Sequence, residues 1–157
     1  MKSLAKHMLY PADVFVGRAP CSVTTILGSC ISVCLHDPVQ KQGAINHYIL
    51  PHWNGCDPVF MKYGNLSIIG ILRELLLLGS RLENVKAQIY GGAEILTETP
   101  ANFYIGKRNT QIAFEILNEF QIPVFFSDVG GNKGRKISFN TYSGKVELEY
   151  IGHKHKV

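Results

Sequence analysis

The chain has 157 residues, of which 46% are hydrophobic and 18% charged, with a formal net charge of +4. That balance excludes disorder and supplies enough apolar surface for a self-sufficient core over residues 1–157 read as one domain. The basic and histidine residues crowd at the ends (Lys2, Lys6, His7, then His153, Lys154, His155, Lys156) and form no stripe interleaved with aromatics, so no nucleic-acid face is expected and residues 1–9 and 152–157 read as frayed termini.

In chain order, residues 11–17 alternate weakly and read as an edge strand or lead-in. Residues 22–27 are β-branched and stop at Gly28, which predicts a strand ending in a turn. Ile31, Val33 and Leu35 alternate with Ser32, Cys34 and His36, a second strand that Asp37-Pro38 ends. Residues 43–51 read as a third strand carrying His47, and 52–58 as a loop with the lone Trp53. Residues 63–79 show helical periodicity: Ile68, Ile69, Leu72, Leu75, Leu76 and Gly79 share a face, which Ile71, Leu77 and Leu78 widen. Arg73 and Glu74 break that run, so it cannot span a bilayer and no membrane insertion is expected.

Residues 85–90 predict a strand closing on Gly91-Gly92-Ala93, and Asn109 reads as the N-cap of a second helix with Ile112, Ala113, Ile116, Leu117 and Phe120 inward. A strand over 122–128 leads to Gly130-Gly131-Asn132, and residues 135–139 and 145–151 predict a hairpin across 141–144. Strand runs at both ends around two helices favour a mixed α/β, single-domain sandwich of sheet layers, not a regular doubly wound sheet. The N-terminus lacks the apolar core of a signal peptide, being broken by Pro11, Asp13 and Arg18. Four cysteines in a chain with its own core call for no disulfide staple, so a reducing, cytoplasmic setting is expected.

The chemistry concentrates in Thr24-Thr25-Ile26-Leu27-Gly28-Ser29-Cys30 and the imidazole of His47. A free thiol ionises near pH ~8.5 and needs a base to act as a nucleophile at neutral pH. Cys30 with His47 forms such a pair if sulfur and ring come within hydrogen-bond reach or nearly so. The small turn Gly28-Ser29 leaves backbone donors open as an oxyanion hole, and a hydroxyl of Thr24 or Thr25 can orient the ring. Only one of them can, because neighbours on a strand point to opposite faces. Two other readings stay open on the residues alone. In one, Cys30 is an inert buried cysteine and His47 a satisfied strand residue. In the other, Cys30, Cys34 and His36, with His47, His52 and Cys56, bind zinc, although a second closely spaced cysteine pair is missing. Gly91-Gly92-Ala93 and Gly130-Gly131-Asn132 lack phosphate-loop spacing and read as turns where backbones approach closely. Lys107 and Arg108 read as solvated cations.

Taken together and in order, the motifs resemble those of the CheD family of chemoreceptor glutamine deamidases. The likeness runs through Leu27-Gly28-Ser29-Cys30 with Cys34 and Asp37, Gly43-Ala44-Ile45-Asn46-His47-Tyr48-Ile49-Leu50-Pro51, and Ala87-Gln88-Ile89-Tyr90-Gly91-Gly92-Ala93. It continues through Ile105-Gly106-Lys107-Arg108-Asn109, Asp128-Val129-Gly130-Gly131 and Arg135. The resemblance implies Cys30 as nucleophile, His47 as general base and acid, and Thr24 as the third residue in a register of six before the cysteine, or Thr25 in a register of five. It implies hydrolysis of glutamine side chains on the cytoplasmic helices of methyl-accepting chemoreceptors, with no cofactor, no metal, and a CheC-type phosphatase as a further partner. A non-catalytic module regulating such a phosphatase is the alternative.

Overall fold

The computed structural model describes residues 4–94 and 104–152. Nine strands and two α-helices are present among them: β1 (Ala5–Met8), β2 (Val14–Gly17), β3 (Cys21–Leu27), β4 (Ile31–Asp37), β5 (Gln42–Asn46), α1 (Gly64–Leu77), β6 (Lys86–Gly91), α2 (Ile105–Glu119), β7 (Val124–Val129), β8 (Gly134–Asn140) and β9 (Val146–Ile151). The strands form a four-stranded sheet in the order β1-β3-β8-β9 and a five-stranded sheet in the order β2-β5-β4-β6-β7. Both are mixed, with β1–β3 and β6–β7 parallel and the other pairs antiparallel.

The period-two pattern of β4 explains the layering. Ile31, Val33 and Leu35 join a core with Ile68, Ile71, Leu75, Ile112, Ile116 and Leu117, so both helices cover this face of the five-stranded sheet. Cys34 points the other way, into a second core with Leu9, Val23, Leu27, Ile45, Tyr90, Ile137 and Phe139 between the two sheets. The mixed α/β sandwich expected from the element order is therefore an α/β/β stack. No helix among the described residues is long and apolar enough to cross a membrane.

Several boundaries differ from expectation. The stretch expected to fray through residue 9 instead builds β1 along β3, with Leu9 buried in the inter-sheet core. Charge made residues 2–7 look like a tail, but a parallel edge strand needs only backbone pairing. At the other end the expectation falls largely on residues 153–157, outside the described residues. Strand β5 stops at Asn46 rather than reaching residue 51, because the Asn46 side-chain oxygen, not a main-chain one, accepts Val33 N–H at 2.7 Å. Leu77, assigned to the apolar face of α1, is exposed at the last helical position. Asn109 is not a cap: α2 begins at Ile105, after Tyr104 in a left-handed conformation, and Asn109 lies inside the helix, buried.

Candidate active site

The loop between β3 and β4 is held peptide by peptide. Gly28 C=O accepts Ala93 N–H at 3.0 Å and Cys30 C=O accepts Gly92 N–H at 2.9 Å. Between them, Ser29 C=O accepts the Asn109 side-chain N–H at 3.0 Å. This is the close backbone approach expected of Gly91-Gly92-Ala93. A Cβ on Gly91 would collide with the Cys30 carbonyl oxygen, and both Gly91 and Gly92 have positive φ (111° and 68°). Buried Arg135 fastens this cradle to its neighbour: it donates to Gly91 C=O (3.2 Å), to Gly130 C=O (2.8 Å) and to Asp128 (2.8 Å). Gly130-Gly131 closes the same arrangement, with Gly130 N–H on Gly91 C=O at 3.0 Å.

His47 follows β5 directly, and the isolated antiparallel bridge Ile31↔Tyr48 keeps its segment in the register Cys34↔Ile45. That register sets Ser32 opposite His47 and Cys30 diagonal to it, a separation side chains can span. Cys30 is half-buried against the inter-sheet core, and His47 is buried. Of the two threonines, the structure brings Thr25 to the imidazole: its Oγ1 lies 2.7 Å from His47 Nδ1. Thr24, favoured on the register of six, points to the outer face of the four-stranded sheet, where Oγ1 meets Ser138 Oγ at 2.8 Å. Alternation along β3 decides this, since Val23, Thr25 and Leu27 are its inward residues.

Thr25 also settles the tautomer. Its Oγ1 is 2.7 Å from the carbonyl oxygen of Leu9, which can only accept. The single hydroxyl proton is thus committed to Leu9, and the Thr25 lone pair accepts the Nδ1–H of His47. That leaves Nε2 as the nitrogen with a free lone pair. Residues 9–12 brace the same unit from outside. Leu9 N–H bonds Thr24 C=O and Ala12 N–H bonds His47 C=O, each at 2.8 Å. Nothing in the sequence of residues 9–12 signalled this.

Burial pushes the Cys30 thiol up to about 11, against the lowering effect of its own backbone N–H. Burial also pushes His47 down to about 4, against the charge of Asp13, which works the other way. At neutral pH the resting pair is thiol and neutral imidazole. Cys30 Sγ makes no hydrogen bond to the His47 ring in this conformation, whose ring contact is with Thr25. Such contacts are commonly loose without substrate and tighten in the reacting complex. Among the described residues no three His, Cys, Asp or Glu side chains gather as metal ligands. Cys34 is enclosed in the inter-sheet core, His36 bonds Tyr142 C=O, and Cys56 lies exposed on the loop that follows His52.

Residues 50–150 match the family model described as CheD chemotactic sensory transduction. The chain belongs to the CheD family. A CheD relative from Trichlorobacter lovleyi, named a probable chemoreceptor glutamine deamidase, is 40% identical over 145 residues, covering 92% of this chain and 90% of its own. A relative from Sulfurimonas denitrificans with the same name is 37% identical over 152 residues, covering 93% and 94%. A third, from Clostridium botulinum, is 36% identical over 146 residues and covers 90% of each. A match spanning 92% of a 157-residue CheD chain takes in residues 24–47, which the family-model match does not.

Proposed function

We propose that the chain is a cysteine-dependent protein-glutamine deamidase that converts glutamine side chains of chemoreceptor cytoplasmic helices to glutamate and releases ammonia. The observation that carries this reading is the Leu9–Thr25–His47 hydrogen-bond chain, which presents a free Nε2 on the sheet face that also carries half-buried Cys30. Its reaction is a side-chain amide hydrolysis, which agrees with the name chemoreceptor glutamine deamidase carried by the relatives, and its proposed setting is the cytoplasm.

Each member of the resting pair is kept neutral because burial penalises a lone charge. Proton transfer from Cys30 to His47 Nε2 creates both charges together, so each compensates the other, and the two ionisations are coupled. The thiolate attacks the carboxamide carbon, and the carbonyl π electrons move onto oxygen, towards Cys30 N–H. Collapse breaks the C–N bond while imidazolium protonates the leaving nitrogen, which departs as ammonia. Water then attacks the thioester carbon as His47 takes its proton. The C–S bond breaks, glutamate leaves, and sulfur regains its proton. Through these steps Thr25 accepts Nδ1–H and holds the ring in place.

A purified chain given a chemoreceptor cytoplasmic fragment should raise the mass of particular glutamine-containing peptides by about one dalton each, and Cys30→Ala should leave them unchanged. Absence of conversion by the unmodified chain overturns the reading. Binding of a CheC-type phosphatase, the further partner in this proposal, is checked by co-elution of the two purified proteins.

A further inference from the structure

We propose that Asn109 is the positioning residue that aims the Cys30 backbone N–H at the reacting oxygen and locks the nucleophile turn to the segment carrying the base. The inference rests on the deamidase reading above. Asn109 is fully buried on α2, and its Nδ2 carries two protons. One goes to Ser29 C=O at 3.0 Å, just before the nucleophile. The other goes to Ile49 C=O at 2.8 Å, two residues beyond His47. A single rigid side chain therefore ties together the two strands of chain whose reacting groups must meet. Tyr48, beside His47, secures the connection from the other direction, its hydroxyl donating to Asn109 C=O.

The orientation follows from peptide geometry. Ser29 C=O and Cys30 N–H belong to one planar peptide unit, and no cis bond occurs among the described residues. In a trans peptide the two groups point in opposite directions. Drawing the oxygen towards α2 turns the N–H away from the helix, to the side where the Cys30 sulfur lies. Cys30 N–H and Sγ belong to one residue, three bonds apart, so a tetrahedral oxygen on a carbon bonded to that sulfur forms within reach of this donor. The carbonyls on either side, Gly28 and Cys30, are held by backbone donors, whereas Ser29 depends on a side chain and can be tested by substitution.

The residue type supports a role beyond packing. Asn109 Oδ1 is buried with no hydrogen-bond partner among the described residues. Aspartate would remove both donors, serine would keep one, and alanine would leave two buried carbonyls unmet. The two N–H groups of the amide, not its oxygen, make the side-chain contacts that tie Ser29 to Ile49.

The test uses the full chain with Asn109→Asp, Asn109→Ala and Asn109→Ser. It measures steady-state deamidation of a chemoreceptor fragment, thermal midpoint, and affinity for a peptide aldehyde replacing the glutamine carboxamide. That aldehyde adds the Cys30 thiol across its carbonyl and relies on the same oxyanion donor. Asn109→Asp and Asn109→Ala should lower kcat about 10²-fold with KM changed less than about threefold, and aldehyde affinity should fall in proportion to kcat. Asn109→Ser, which remains the informative variant if the other two do not fold, should fall between them and the unmodified chain. Unchanged kcat in a folded variant, or lost kcat with full aldehyde affinity, overturns the role of Asn109 alone. An unmodified chain that neither deamidates nor binds the aldehyde overturns the deamidase reading, and this inference with it.

Discussion

The two faces of the five-stranded sheet differ in what they bury. Towards the helices, β4 presents Ile31, Val33 and Leu35 to an aliphatic core. Towards the second sheet, Cys34 of the same strand and His47 just after β5 lie buried, with Thr25 of β3 against the His47 ring and Cys30 at the edge. One face stores stability through apolar area; the other spends part of that stability holding titratable groups out of water. One strand serves both because alternation separates the two tasks residue by residue.

The sharpest way to break this contrast is to cut each face separately. Leu75→Ala, in the helix-side core, should destabilise the fold by about 2–5 kcal/mol in denaturant titration while the turnover of folded molecules stays near that of the unmodified chain. A matching loss of turnover per folded molecule would mean that the faces are not independent.

The inter-sheet face should also show a pH cost. His47 is held near 4 in the fold against 6.5 ordinarily, so between those values the unfolded chain binds the extra proton. Stability should therefore fall as pH drops from about 6.5 towards 4, by on the order of 3 kcal/mol from this group. His47→Gln should flatten that part of the profile. An unchanged slope in the variant would place the protonation elsewhere.

The smallest effect separates adjacent residues. Thr25→Val should lower kcat roughly 10- to 100-fold, since it unseats the ring without removing it. Thr24→Val should change neither turnover nor stability by more than about 0.5 kcal/mol. Equal losses would erase the distinction that strand alternation draws.

Much of this was legible in the sequence because it depends on local periodicity. The alternation of β4, the apolar stripe of α1 and the hairpin β8–β9 follow from spacing alone, whereas spacing left Cys30 and His47 open to an inert reading and only the family resemblance singled them out as a pair. What was not legible depends on distant partners. The choice of Thr25 over Thr24 turns on which face of β3 meets β5. The bracing by residues 9–12 is made of backbone groups, which no residue identity announces. Asn109 suggested a helix cap because asparagine favours that position, and only the fold shows its amide reaching Ser29 and Ile49.

In the proposed reaction the Cys30 sulfur becomes covalently bonded to the substrate acyl carbon. Acid quenching of a turning-over mixture, followed by proteolysis and mass spectrometry, tests it directly. A glutamyl thioester is expected on the peptide containing Cys30 and on none containing Cys21, Cys34 or Cys56. Continued turnover with no adduct on Cys30, or with Cys30→Ala still active, would contradict it.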